Sequence, residues 1–163
     1  MSVLTRHPWG WGMAAAILGT LATLQPGLRV PLPPPLTAID PASVTRMAIT
    51  HRRGTGIRLE RRHDHWWLIH PREALARPER VATLLRWLTA PAGQCYPVAG
   101  LVLNDMQLTP PLYRLEIDGQ WLDLGGTDPI AGDRYVLKGE QVCLAADWLL
   151  PHLVATPADW EVR

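Results

Sequence analysis

The sequence predicts an α+β domain: an antiparallel sheet with helices on one side, in two β-β-β-α-like halves, preceded by one N-terminal transmembrane helix. Three observations carry this reading. Apolar and polar residues alternate with period two in short runs bounded by turn residues. One segment instead repeats apolar residues with the helical period. An uncharged apolar stretch stands apart at the N terminus.

That stretch lies between Arg6 and Arg29, where there is no Lys, Arg, Asp or Glu. Its apolar heart runs from Trp9 to Leu24, and uncharged residues extend it to Leu28. A spanning helix needs about 20 residues. Arg6 precedes the stretch, as the positive-inside rule asks of a cytoplasmic N terminus, and Trp9 and Trp11 sit where an interfacial aromatic belt belongs. Residues 1–8 are thus expected in the cytoplasm and 9–28 as an inner-membrane anchor. A cleaved signal peptide is the rival reading, with Thr20-Leu21-Ala22 a poor small-x-small site. Residues 29–43 read as a Pro-rich linker, since Pro31-Leu32-Pro33-Pro34-Pro35 favours extended polyproline II. An α+β domain over 44–154 and a tail over 155–163 complete the layout.

Within the domain, Val44–Thr50 is a strand with Met47 and Ile49 on one face. Gly54–Gly56 punctuates, and Ile57–Arg61 alternates apolar with charged residues. Arg62–Asp64 turns the chain into Trp66–Ile69. Pro78 opens a helix whose stripe is Val81, Leu84, Leu85 and Leu88, ended by Pro91-Ala92-Gly93. Leu112–Ile117 places Tyr113, Leu115 and Ile117 on one face. Asp118-Gly119 signals a two-residue hairpin, Trp121–Leu124 returns, and 134–137 pairs with 141–144 around Lys138-Gly139-Glu140. Asp147 is expected to cap a short helix that Pro151 cuts.

These motifs resemble the domain-of-unknown-function family numbered 4340. The runs are Ile57-x-Leu59-Glu60-Arg61, Trp67-x-Ile69-x-Pro71 and Val81-x-x-Leu84-Leu85. In the second half, Leu108-Thr109-Pro110-Pro111 resembles the family's Gly-Leu-x-Pro-Pro, with Gln107 where Gly is usual. Leu124-Gly125-Gly126 and Arg134-Tyr135-Val136 also match. The resemblance covers about residues 44 to 152. It implies an extracytoplasmic domain behind a membrane anchor, associated with gliding-motility-type ABC transporter auxiliary proteins, and carries over no catalytic residue.

Composition and chemistry narrow the function. With 47% apolar residues in 163, the chain can fill one core, and a net charge of +1 argues against nucleic acid as a partner. His63-Asp64-His65, with His70 nearby, has metal-ligand residue types, but polar residues at a turn tip are expected anyway. Gly125-Gly126-Thr127 lacks the Lys and helix of a phosphate loop. Asp123, Asp128 and Asp133 lack the dense spacing of a calcium loop. No catalytic, metal or cofactor residue is assigned. Cys95 and Cys143, the only cysteines, are candidates for a disulfide in an oxidising compartment. Phe is absent while Trp occurs eight times, so aromatic volume must come largely from Trp. Adjacent strand residues Trp66 and Trp67 must face opposite ways, so one can be core and the other is exposed or covered by a partner, a second helix or a membrane surface; Trp66, Trp67, Arg58 and Arg61 are the candidate interface residues. The expected function is a membrane-anchored, non-catalytic periplasmic accessory or interaction subunit of an envelope or transporter-type complex, with membrane or periplasmic proteins as partners. The alternative is a lipid- or cell-wall-glycan-binding domain using Arg46, Arg58, Arg61 and an exposed Trp. A hydrolase is a third, weaker reading.

Overall fold

The computed structural model describes residues 33–54 and 56–162. The expected cytoplasmic segment, membrane anchor and first part of the linker lie outside them. Among the described residues no helix is long and apolar enough to cross a membrane.

The described chain is mostly β. Nine antiparallel strands form one open sheet in the order β4-β3-β2-β1-β6-β7-β8-β9-β5. They are β1 (Arg46–His51), β2 (Gly56–Arg62), β3 (His65–His70), β4 (Ala74–Leu75), β5 (Cys95–Pro97), β6 (Tyr113–Ile117), β7 (Gln120–Thr127), β8 (Arg134–Lys138) and β9 (Gln141–Ala145). Two short α-helices accompany them, α1 (Pro78–Leu88) and α2 (Leu150–Leu153). Helix is therefore a smaller share than the α+β expectation implied, and the strands before the helices number four in the first half and five in the second, rather than three. The fourth strand of the first half, β4, is two residues long and too short to show a period.

The halves meet where β1 pairs with β6, with Met47 opposite Ile117 and Ile49 opposite Leu115. Outward from that seam, β2 corresponds to β7, β3 to β8 and β4 to β9. The seam is apolar because the period-two pattern of each strand brings its buried set to the same face. Asp118 and Gly119 both take positive φ, 44° and 84°, as a two-residue hairpin of this twist requires. The Asp118 carboxylate then accepts hydrogen bonds from the Thr45 hydroxyl at 2.8 Å and the Arg46 backbone N–H at 2.8 Å, stitching the halves together.

One face of the sheet carries the core. Met47, Ile57, Leu59, Leu68, Leu115, Leu124 and Val136 pack against Val81, Leu84, Trp87 and Leu88 of α1 and against Leu149, Leu153 and Trp160. Helix α1 begins at Pro78 with Glu79 in its first turn and ends with Arg86 in its last, each charge complementing the helix dipole. Thr37 caps its far end: backbone N–H and hydroxyl both donate to the Leu88 carbonyl. The packed unit thus extends past 44–154 at both ends. Leu36 and Trp160, in segments read as linker and tail, are both fully buried.

Asp147 does not cap the short helix. The N-cap of the 3-10 turn Asp147–Leu149 is Ala146, without a side-chain cap. The Asp147 carboxylate is taken instead by the buried guanidinium of Arg134, at 2.6 and 3.0 Å. Nor does Pro151 cut the helix. It occupies the first turn of α2, where a missing N–H costs nothing.

Candidate functional site

The two halves differ on the face away from the core. In the second half that face is covered over β8, β9 and the far end of β7, and open at Trp121. The chain leaves β5 at the sheet edge and reaches β6 at the centre, so residues 98–112 must cross β9, β8 and β7. Gly125 follows core-facing Leu124 and so faces away from the core. A Cβ on Gly125 would lie 2.1 Å from the Met106 carbonyl oxygen, so the crossover touches the strand there. The Gly126 N–H donates to that oxygen at 2.9 Å. Leu108 and Val142 are buried yet stand apart from the main core cluster, under this crossover. Arg52 fastens its end, with backbone N–H donating to Leu112 and guanidinium to Pro110.

Nothing described covers the first half. An open outward row runs from that half across the seam as Arg58, Ala48, Glu116 and Trp121, the last two on β6 and β7. A second row pairs Trp67 with Glu60 and Glu60 with Arg46. Between them lies a shallow groove of about 400 Å³, floored by Ala48 and bordered by Ile69 and Asp118. Trp67 on β3 and Trp121 on β7 lie on the same face without lining it. They are separated by four strand spacings of about 4.8 Å each, so a partner element of ordinary width fits between. Trp121 is 53% exposed, with the Arg114 guanidinium 5.4 Å from its ring centre. Asp118 sits at the edge. Partial burial pushes its carboxyl up, but the hydrogen bonds from Thr45 and Arg46 outweigh this and hold it below the usual carboxylate range.

The residues singled out from the sequence are therefore sorted by face. Arg58 lines the open groove, and half-buried Trp67 lies on the same face. Trp66 and Arg61, directly opposite each other, lie on the core-facing side. Trp66 packs half-buried against the core, and Arg61 donates to the Ala42 carbonyl at 2.8 Å. Arg46 and Arg58 share the groove with Glu60 and Glu116, so its charge is mixed rather than basic. Ala48, Ile69, Glu116 and Trp121 were not legible as parts of one surface. Only the β1–β6 pairing brings residues so far apart in sequence into one row.

Cys95 and Cys143 lie directly opposite in the β5–β9 pair and are joined by a disulfide. It pins edge strand β5, and with it the start of the crossover. Bonds of this kind persist in oxidising compartments, which suggests an extracytoplasmic domain. His63 and His65 stand exposed at the β2–β3 turn.

These features define a disulfide-pinned, half-covered antiparallel-sheet domain. No family profile matches the chain, and no curated protein or solved structure is significantly similar to it.

Proposed function

We propose that the chain is an extracytoplasmic, non-catalytic interaction subunit of an envelope complex, held at the inner membrane by residues 9–28 and docking its partner on the open groove of the first half. The observation that carries this is the asymmetry of coverage. The chain's own crossover seals the outward face over β8, β9 and the far end of β7, whereas the face from β3 to the start of β7 keeps exposed Trp121 and half-buried Trp67 and Ile69 among charged residues of both signs. Exposed aromatics ringed by polar groups are favoured anchors of protein partners.

The chemistry supports a non-catalytic reading. The Thr156 hydroxyl is committed to Asp159 at 2.7 Å, and His51 Nδ1 accepts the Arg53 backbone N–H at 3.0 Å. Neither is paired as nucleophile and base. Interleaved Glu60 and Glu116 weigh against the lipid or glycan alternative, which called for a basic face of Arg46, Arg58 and Arg61.

A photo-crosslinking residue at position 67 tests the proposal in membranes. A discrete protein adduct is expected from 67 and none from 130, on the exposed loop of the second half. Absence of any protein adduct at 67, with binding to anionic vesicles instead, would give the reading to the lipid alternative.

A further inference from the structure

The chain enters the domain on its helix layer. The Pro34 carbonyl accepts the Ala92 N–H at 2.8 Å, the Leu36 N–H donates to the Ala90 carbonyl at 2.8 Å, and Thr37 caps Leu88. The Lys138 ammonium donates to the Leu36 carbonyl at 2.6 Å. Pro34 is thus fixed beside the C-terminal end of α1. With residues 9–28 as the anchor, a reading on which this inference rests, only residues 29–33 separate the bilayer from Pro34. A fully extended chain rises at most about 3.6 Å per residue, so Pro34 lies within about 20 Å of the anchor's end. A domain of this size has a radius of gyration of about 14 Å, and its full width exceeds that reach. So short a tether cannot lead around the domain, and the side bearing Pro34 faces the bilayer.

That side presents apolar and cationic groups together. Trp148, Leu150 and Val154 are exposed along the 3-10 turn and α2, which lie against α1. The Trp87 indole N–H donates to the Ala146 carbonyl at 3.2 Å, holding this turn at the end of α1 where the chain enters. The Arg86 guanidinium, in the last turn of α1, lies 5.6 Å from the Trp148 ring centre. Arg80 donates to the Pro151 carbonyl at 3.4 Å. Neither arginine makes an ion pair among the described residues. The neighbouring acids are mostly engaged: Asp147 by Arg134, Asp159 by Thr156 and Glu161 by Arg72. Lys138 and Glu140, at the β8–β9 turn, offset each other. Glu79 is unpaired among the described residues, but it stands in the first turn of α1, at the end away from the chain's entry. Tryptophan favours headgroup depth, and arginine extends its guanidinium from apolar surface toward phosphate.

We propose that this helix-bearing side rests on the anionic surface of the bilayer, with Trp148, Leu150 and Val154 at headgroup depth and Arg80 and Arg86 reaching the lipid phosphates. The tether makes the bilayer the nearest surface, and the two arginines match its charge. The open groove lies on the opposite face of the sheet from α1, so it points away from the membrane, toward partners. This contact is not the lipid alternative weighed above, which needed Arg46 and Arg58 of the groove face.

The test uses the full chain in vesicles of phosphatidylethanolamine and phosphatidylglycerol, with a photo-crosslinking residue at position 148 or 121. A lipid adduct, read by mass, is expected from 148, with the yield from 121 near background. Arg80→Gln combined with Arg86→Gln should cut the yield from 148 by about fivefold, the scale expected for two surface cations on an anionic leaflet. Vesicles of phosphatidylcholine alone should lower it comparably without any change to the chain. A chain that stays in carbonate-washed vesicles yet gives no lipid adduct from 148, gives equal yields from 148 and 121, or is indifferent to both changes of charge would overturn the proposal and leave the anchor standing. A chain released by carbonate would remove the anchor and the proposal with it.

Discussion

The two halves of the sheet share a plan but differ in what they are built to keep. The second half is closed on the core side and, over β8, β9 and the far end of β7, by the crossover as well, with an ion pair and a disulfide fastening its strands. The first half is closed on the core side only. Its strands are paired as fully, yet its outward side chains meet solvent. A domain able to bury part of its outward face has left the rest, from β3 to the start of β7, open around Trp67 and Trp121. The closed half therefore reads as the stabilising part and the open half as the part available for binding.

Substitutions in the closed half should then be costly for folding, and those in the open groove should be nearly silent. The largest effect is expected from Arg134→Ala. This guanidinium joins β8 to Asp147 and to the Gly125 carbonyl, and lies 6.0 Å from the Tyr113 ring centre. Removing one member of a buried pair costs about 3–5 kcal/mol, read as a lowered denaturant midpoint. If Asp147→Asn alone costs as much as the double variant, the two act as one unit.

Next comes the disulfide. It closes a segment of 48 residues in sequence separation, and its removal by paired Cys→Ala substitution should cost about 2–4 kcal/mol. Hydrogen exchange should rise first in β5 and the crossover and leave β1–β3 protected. A uniform rise would break the idea that coverage is a separate device. Gly125→Val should cost about 1–3 kcal/mol by overpacking, because its side chain would meet the Met106 carbonyl. Gly126 has only ordinary contacts, the nearest at 3.5 Å, so Gly126→Ala should be much milder. By contrast, Trp121→Ala, at a position 53% exposed, should change stability little while abolishing the adduct formed from position 67.

The smallest effect is one of pH. Burial, helped by Arg80 and Arg86, holds the His152 imidazole below its ordinary value. In that range the folded chain binds fewer protons than the unfolded chain, so stability falls as pH drops through the ordinary imidazole range. A modest fall in Tm between about pH 7 and pH 5 is expected, flattened in His152→Gln. An unchanged slope would place the effect elsewhere.

Much of the fold was legible because local rules carried it. Met47 and Ile49, Tyr113 to Ile117, and the Asp118-Gly119 turn each announce themselves within a few residues. The helix at Pro78 does so by its stripe. The misses are non-local. Asp147 looked like a helix cap because a capping residue is defined by its neighbours in sequence. Its actual partner, Arg134, comes from another strand. Trp160 looked like part of a tail because a short 3-10 turn has no period to read, yet it fills the core. The groove was half legible: alternation separates Trp67 from Trp66, but cannot say that Trp121 and Glu116 join Trp67 on one surface.

By itself, then, the sequence determined which segments are strands, which faces they bury and where the chain turns. These follow from backbone sterics and side-chain alternation over a handful of residues. Tertiary structure alone decided that the halves join through β1 and β6, that a crossover seals part of one of them, and that the chain enters beside the end of α1. Those outcomes depend on which distant surfaces meet, and no short window of residues contains that information.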